Sequence, residues 1–349
     1  MVHWYVHCAF LFPRGQVNSS SQVHWIYPYE KLRAANVMST LSVIKLAATN
    51  KPKNVVFVSS TSAVDVEYFV ELGERHSQGT SQFNGVPESD DLEGARYDLQ
   101  TGYGQSKWVS EKLLFEAGKR GLKGHIVRPG YVVGHSESAG SYSFCRSIAS
   151  NLTHGHLLVT NTDDFLWRLV KGCVQLGLVP DMNNTINMVP VDHVARCTSL
   201  AAISPLPNAT QSVLHITAKP LPTFNSMLST LAQYGYNTET CDYLVWRRKL
   251  EQHVMEVQDN ALFPLLHFVL DDLPTSTRAP SLDDTNTVSL LQQGGSKTSA
   301  TVGDDLMGLY LAWLVGAGFL PAPTATEPAK QLPALAFSGV IKASGRSGV

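Results

Sequence analysis

The sequence of 349 residues has little surplus of either charge: 27 lysines and arginines face 29 aspartates and glutamates, a formal net charge of -2. Holding a phosphate backbone by bulk electrostatics needs a basic face, so nucleic acid is not expected as a partner. Cysteine is sparse. Cys8, Cys145, Cys173, Cys197 and Cys241 form no C-x-x-C pair and no zinc spacing with histidine, and their total is odd, so neither a disulfide framework nor a metal site is expected. Such usage fits a reducing, cytoplasmic setting. Long apolar runs are missing as well: Leu309–Leu320 falls short of the roughly 20 residues that span a bilayer, so no membrane association is expected. Met1–Pro13 has neither a basic start nor a small-residue cleavage site, which excludes a secretory signal of the usual form. Finally, no strand, glycine-rich turn and helix, the common cradle for a dinucleotide pyrophosphate, is read before Asn36.

What is present is 44% hydrophobic residues, enough for one large core or two modest ones. Apolar residues from Leu32 to Ala47 recur at helical spacing and predict a helix over Glu30–Asn50, stopped by Pro52. Asn54–Thr61 is a β-branched and aromatic run that ends in three hydroxyls, the pattern of a buried parallel strand opening into a loop. The polar stretch Glu74–Gln100 reads as loop, Tyr103–Gly121 as helix, and Gly124–Gly134 as a strand ending at Arg128-Pro129. Beyond Thr160 helical patterns dominate, at Asp164–Leu176, Asn187–Ile203, Pro222–Tyr234, Asp242–Val257, Asn260–Leu273 and Val302–Phe319, with one strand at Ser212–Thr217. The order predicts an α/β fold with right-handed crossovers: a partial Rossmann-like, doubly wound parallel sheet lacking its first strands and glycine-rich turn, then a mainly helical lobe.

The chemistry concentrates in Tyr103-Gly-Gln-Ser-Lys107. On a helix the phenol and the ammonium, four residues apart, project from one face. A neighbouring cation favours phenolate and makes the tyrosine a usable proton donor to a developing alkoxide. The same spacing occurs at Tyr27 and Lys31, but Pro28 lies inside that copy and disfavours helix at Tyr27. Ser59-Ser60-Thr61 ends the preceding strand, where an open α/β sheet places its ligand crevice, and Thr61 is positioned there to donate to a carbonyl. Arg128-Pro129-Gly130 leaves the sheet at the same edge. The plain alternatives are a surface pair for Tyr103 and Lys107, a turn cap for Thr61, and a solvated polar residue for Asn36. Asp192, after Pro190, reads as a helix cap rather than as half of a dyad with His193.

Asn36, Ser59-Ser60-Thr61, Tyr103-x-x-x-Lys107 and Arg128-Pro129-Gly130, in this order, resemble the extended short-chain dehydrogenase/reductases. More narrowly, Trp25–Val37, Thr101–Trp108 and Asn187–Ala195, continued by Asp283–Asn286 and the late helix around Tyr310, resemble the C-terminal thioester reductase domain of the fungal L-2-aminoadipate reductases. The likeness covers most of the chain from Val23 onward. It implies NADPH-dependent reduction of a phosphopantetheine-bound acyl thioester, 2-aminoadipoyl in that family, to the aldehyde in lysine biosynthesis. It also implies Thr61 and Tyr103 as the groups that polarise and protonate the carbonyl oxygen. Lys107 would bind the nicotinamide ribose and tune Tyr103, with Ser59, Ser60, Asn36, Arg128 and Pro129 lining the cofactor site. The partner implied is a carrier protein bearing the thioester. The family's adenylation and carrier modules have no counterpart in these residues.

On this reading the chain divides into an atypical segment 1–22, a partial NADP-binding Rossmann-like region 23–140, an atypical insert 141–158, a mainly helical substrate lobe 159–320 and a tail 321–349. Val6–Gln22 and Ser141–Leu158 match neither the family nor any element read from the residues. A second reading stays open, a non-catalytic binding fragment that holds no nucleotide. An epimerase or dehydratase using the same tyrosine and lysine is a third, against which the narrow likeness weighs.

Overall fold

The computed structural model describes residues 11–12, 15–18, 22–23, 26–51, 53–77, 85–136, 158–162, 164–204, 206, 211–257, 259–324, 329–335 and 341–344. The rest of Val6–Gln22 and of Ser141–Leu158 lies outside these. The chain forms two compact units, each discontinuous in sequence: Met1–Tyr131 with His193–Lys219 and Arg278–Ala300, and Val132–Asp192 with Pro220–Thr277 and Thr301–Val349.

The first unit is built on a five-stranded sheet. Strand β1 (Leu11–Phe12) pairs antiparallel with β2 (Gly15–Asn18), and β2, β3 (Asn54–Val58), β4 (Gly124–Pro129) and β5 (Gln211–Ile216) follow in parallel. The expectation that no strand precedes Asn36 is thereby corrected. Val17 lies opposite Val56 and Asn18 opposite Phe57. Any short extended segment satisfies the backbone groups along the edge of β3, and such pairing needs no hydrophobic signature. β5 is the strand read at Ser212–Thr217 within the helical half. Its Val213, Leu214 and Ile216 are buried, as in a parallel strand covered on both faces, although it stands last in the strand order, and it carries its flanking residues into this unit. The sheet thus gathers strands from both sides of the insert read at 141–158, taking β5 out of the region 159–320 read as the helical lobe.

Helices cover this sheet. The predicted Glu30–Asn50 helix is α1 (Tyr29–Arg33), a π-helical turn (Ala34–Met38) and α2 (Ser39–Ala48). A helix α3 (Glu67–Ser77) begins in a segment left unassigned and runs into the predicted Glu74–Gln100 loop. Its polar face of Glu67, Glu71, Glu74 and Arg75 masks a short apolar stripe of Phe69 and Val70. α4 (Gly102–Lys119) is the motif helix, and α5 (Thr285–Gln293) closes the unit. Val55, Phe57, Ile126 and Val213 form one core with Ala47 and Leu114, and Ala63, Val64, Phe69, Val86 and Leu92 form another. Each valine, leucine, isoleucine or phenylalanine among them contributes about 1.5–3 kcal/mol by leaving water.

In the second unit the helices Phe165–Leu176, Phe224–Gln233, Tyr243–Glu256, Leu266–Ser276 and Asp304–Gly316 bury Trp246, Trp313, Phe165 and Phe224. Two parallel strand pairs join them, Leu178–Pro180 with Glu239–Cys241 and Leu158–Asn161 with Ile341–Ser344. The second pair gives the residues read as tail a strand of their own. The proline-rich stretch before it is pinned as well, since Tyr236 donates to the Pro321 carbonyl at 2.9 Å and the Lys330 N–H to that of Gln233 at 2.8 Å. No helix among the described residues is long and apolar enough to cross a membrane.

Gly124 opens β4 so close to its neighbour that a Cβ there would lie 2.1 Å from the Val55 carbonyl oxygen. Backbone cannot yield as a side chain does. Gly124→Val is expected to lower the unfolding free energy by about 3 kcal/mol, measured by urea denaturation.

Candidate active site

The site is built where β3 leaves the sheet. After Val58 the hydroxyl run turns, and Ser60 caps the 3-10 turn Thr61–Ala63 by accepting from the Ser62 N–H at 3.1 Å. Helix α4 packs its first turn onto that segment. A Cβ on Gly104 would stand 2.6 Å from the Ser62 carbonyl oxygen, and one on Gly102 would stand 2.4 Å from that of Tyr27. The two glycines flanking Tyr103 are therefore the condition for the helix start to approach both strands of backbone. Thr101 caps it, accepting from the Gly104 N–H at 3.1 Å.

Tyr103 is half-buried and Lys107 almost wholly enclosed. The Lys107 Nζ donates to the Val58 carbonyl at 2.7 Å and stands 5.6 Å from the Tyr103 ring centre and 5.0 Å from that of Phe57. Burial pulls its pKa from 10.5 down to about 7, while the Glu111 carboxylate one turn later pushes it up. Thr61 is buried, and its hydroxyl bonds Asp65, whose carboxyl is raised by burial to about 7. The second tyrosine–lysine copy differs. Tyr27 lies ahead of α1, and the Lys31 ammonium sits 3.8 Å from the centre of its ring.

The remaining sequence-predicted residues gather around α4 with their polar atoms already engaged. Asn36 is 2% exposed. Its amide oxygen accepts from the Gln22 N–H at 2.7 Å, and its amide nitrogen donates to the Gln22 carbonyl at 3.1 Å and to Ser106 Oγ at 2.9 Å. The π turn releases the Asn36 carbonyl from the regular helical ladder, and the hydroxyls of Thr40 and Ser110 donate to it at 2.8 and 3.2 Å. Ser59 donates its hydroxyl to Glu111 and its N–H to the Val127 carbonyl. Arg128 is fully enclosed: its Nε meets both Glu111 oxygens at 3.1 and 3.0 Å, its Nη2 meets Oε2 at 2.6 Å, and its Nη1 reaches His215 Nε2 at 2.8 Å. Pro129 ends β4, buried beside it.

Sequence reasoning missed Glu111, His215, Glu88 and Asp65. An arginine only donates, so His215 accepts at Nε2 and its Nδ1–H donates to the Asp283 carbonyl at 2.7 Å. Burial and the Arg128 charge hold the ring neutral, its pKa lowered to about 3. Glu88, also buried, accepts from the N–H of His215 and from the N–H and hydroxyl of Thr287 at the start of α5. Burial raises its pKa to about 7. Two signals were available: Glu111 follows Lys107 by one helical turn, and Arg128 is a charge inside an otherwise apolar strand, which demands a partner. Asp192 lies in the first turn of the helix Val191–Ile203, and its carboxylate accepts from the N–H and hydroxyl of Ser136, each at 2.8 Å.

The family NAD_binding_4, described as male sterility protein, matches residues 17–198. The chain belongs to this family. Among relatives of the NAD_binding_4 chain, L-2-aminoadipate reductase of Schizosaccharomyces pombe is 49% identical over 316 residues, covering 88% of this chain and 21% of that protein. The L-2-aminoadipate reductase large subunit of Penicillium chrysogenum is 45% identical over 349 residues, 95% of this chain and 23% of that protein. The chain thus spans about a fifth of the length of these relatives. Among solved structures, the terminal R domain from the myxalamid PKS-NRPS biosynthetic pathway is similar with a TM-score of 0.70 and 30% identity, over 88% of this chain and 69% of that one. The α/β architecture is that of such reductase domains.

Two outcomes follow from this geometry. Asn36→Leu strands the Gln22 backbone groups and Ser106 and is expected to cost about 2 kcal/mol of stability, read by thermal or urea unfolding. Lys107 binds a proton more weakly folded than unfolded, so the unfolded chain holds more protons between pH 7 and 10.5 and stability rises with pH across that window. Unfolding midpoints of wild type minus those of Lys107→Met should show this slope, positive from about pH 7 upward.

Proposed function

We propose that the chain is a thioester reductase unit that converts a carrier-bound acyl thioester, 2-aminoadipoyl by the likeness to its relatives, to the aldehyde with NADPH. The observation that carries the reading is the Lys107 ammonium, held on the Val58 carbonyl beside Tyr103 and next to the Ser60–Thr61 turn. The donor set suits a nicotinamide ribose. An ammonium has three N–H donors, and among the described residues Val58 takes one. Tyr103 would give its proton to the carbonyl oxygen, and Thr61, whose hydroxyl bonds Asp65, would turn its O–H to that oxygen as a second donor. Ser60 would border the cofactor directly. Arg128, Ser59 and Asn36 enter as the wall that fixes α4 against β3 and β4, because their polar groups are engaged within the protein, and Pro129 joins them as the buried end of β4.

A reduced nicotinamide, when bound, would supply the hydride to the carbonyl carbon; as the C–S bond breaks, the proton that Tyr103 placed on the oxygen would leave with the thiolate, giving an aldehyde and a thiol. The chain's own task is to hold the carbonyl in place, supply hydrogen bonds to its oxygen and keep the lysine cation beside the phenol, contributions of about 10²–10⁴-fold for the acid alone.

The test is NADPH titration of the purified chain by fluorescence, followed by aldehyde formation from an acyl-pantetheine thioester. Saturable binding is expected, lost in Lys107→Ala, with turnover reduced about 10²-fold or more in Tyr103→Phe. Absence of binding at millimolar NADPH would overturn the reading in favour of a non-catalytic binding fragment.

A further inference from the structure

We propose that Glu111 is a positioning residue of this site: it ties α4 to the ends of β3 and β4 and so fixes the Lys107 ammonium, one turn earlier, on the Val58 carbonyl. The inference rests on the reading of Tyr103 and Lys107 as the reductive pair.

Residues four apart on a helix share a face, so Lys107 and Glu111 meet the sheet together. Their contacts fall on consecutive residues of the β3 exit: Val58 accepts from Lys107 and Ser59 donates to Glu111. The two rungs resist sliding of α4 along the strand. Arg128 then fixes the carboxylate from the β4 side through both of its oxygens, and both partners are wholly enclosed. Because the arginine is itself held by His215, and His215 by the Asp283 carbonyl, turning Glu111 away would leave the enclosed guanidinium without its counter-ion. A carboxylate one turn from an enclosed ammonium also favours its charged form, the form that donates to Val58 and to a ribose. The titratable groups around Lys107 are Tyr103 and Glu111 on α4, Asp65 after the Thr61 turn, Arg128 on β4 and His215 on β5. Among these charges Glu111 is the one that opposes the effect of burial on Lys107.

The experiment follows the Lys107 Nζ signal by nitrogen NMR of lysine-labelled full chain against pH, with Lys107→Met assigning the resonance. In Glu111→Gln the titration midpoint is expected to fall by about one unit or more, and in Glu111→Asp, which keeps the charge, to stay near that of the unaltered chain. Glu111→Gln leaves the Arg128 cation without its counter-ion, so Glu111→Gln with Arg128→Met is measured beside it and should show a smaller fall in the same direction, because a cation that disfavours the Lys107 charge goes with the carboxylate. An unmoved midpoint, or loss of the fold in both Gln variants, would assign Glu111 to the scaffold alone and overturn the proposal. Turnover is read separately: a lowered midpoint in a chain whose aldehyde formation is indifferent to Lys107→Ala leaves the placement standing and overturns the reductase reading instead.

Discussion

The ion pair between Glu111 and Arg128 is the constraint on which the first unit hangs. Both side chains are fully enclosed, and removing two charges from water costs several kcal/mol each, so such a pair holds only if its geometry is close to ideal and the remaining lone pairs and protons are met. Here they are met: the guanidinium engages both carboxylate oxygens, Ser59 donates to the same carboxylate, and His215 takes the remaining guanidinium arm. Breaking one side would strand a buried charge at about 3–5 kcal/mol. Three strands and α4 are thereby fixed to one another at the sheet edge where the hydroxyl turn and Lys107 lie.

Around that anchor, the local chemistry of the backbone does the fine placement. A π turn gives Asn36 a side chain that staples the Gln22 backbone and a carbonyl that receives hydroxyls from α2 and α4. Glycines at 102 and 104 let the start of α4 come within backbone distance of its neighbours. Lys107 is then enclosed with aromatic rings near its ammonium, a setting in which burial and Glu111 pull its proton affinity in opposite directions.

Much of this was legible. The hydroxyl-terminated run at 54–61, the helix bearing Tyr103 and Lys107, and the strand ending at Pro129 follow from period and composition, and they fall where the periodicity placed them. What stayed hidden was carried by backbone pairing or by distant partners. β2, Gly15-Gln-Val-Asn18, has no apolar rhythm to announce it, and its place beside β3 is set by backbone pairing. Arg128 was read as the end of a strand, yet its role depends on residues 17 and 87 positions away, which no local window contains. Glu88 sits in a polar stretch that reads as solvated loop, although its carboxylate is buried at the head of a helix almost 200 residues later.

The same long reach bears on how the chain is made. β5 must traverse from residue 211 to lie beside β4, and Asp283 and Thr287, later still, supply the carbonyl and N–H groups that close the His215 and Glu88 contacts. A ribosome that has synthesised β3, α4 and β4 has produced Arg128 and Glu111 without the strand that shields them. Pairings of such high sequence separation form late and leave apolar strand edges open in the interval. The first unit is thus a structure whose completion waits on residues as late as Asp283 and Thr287.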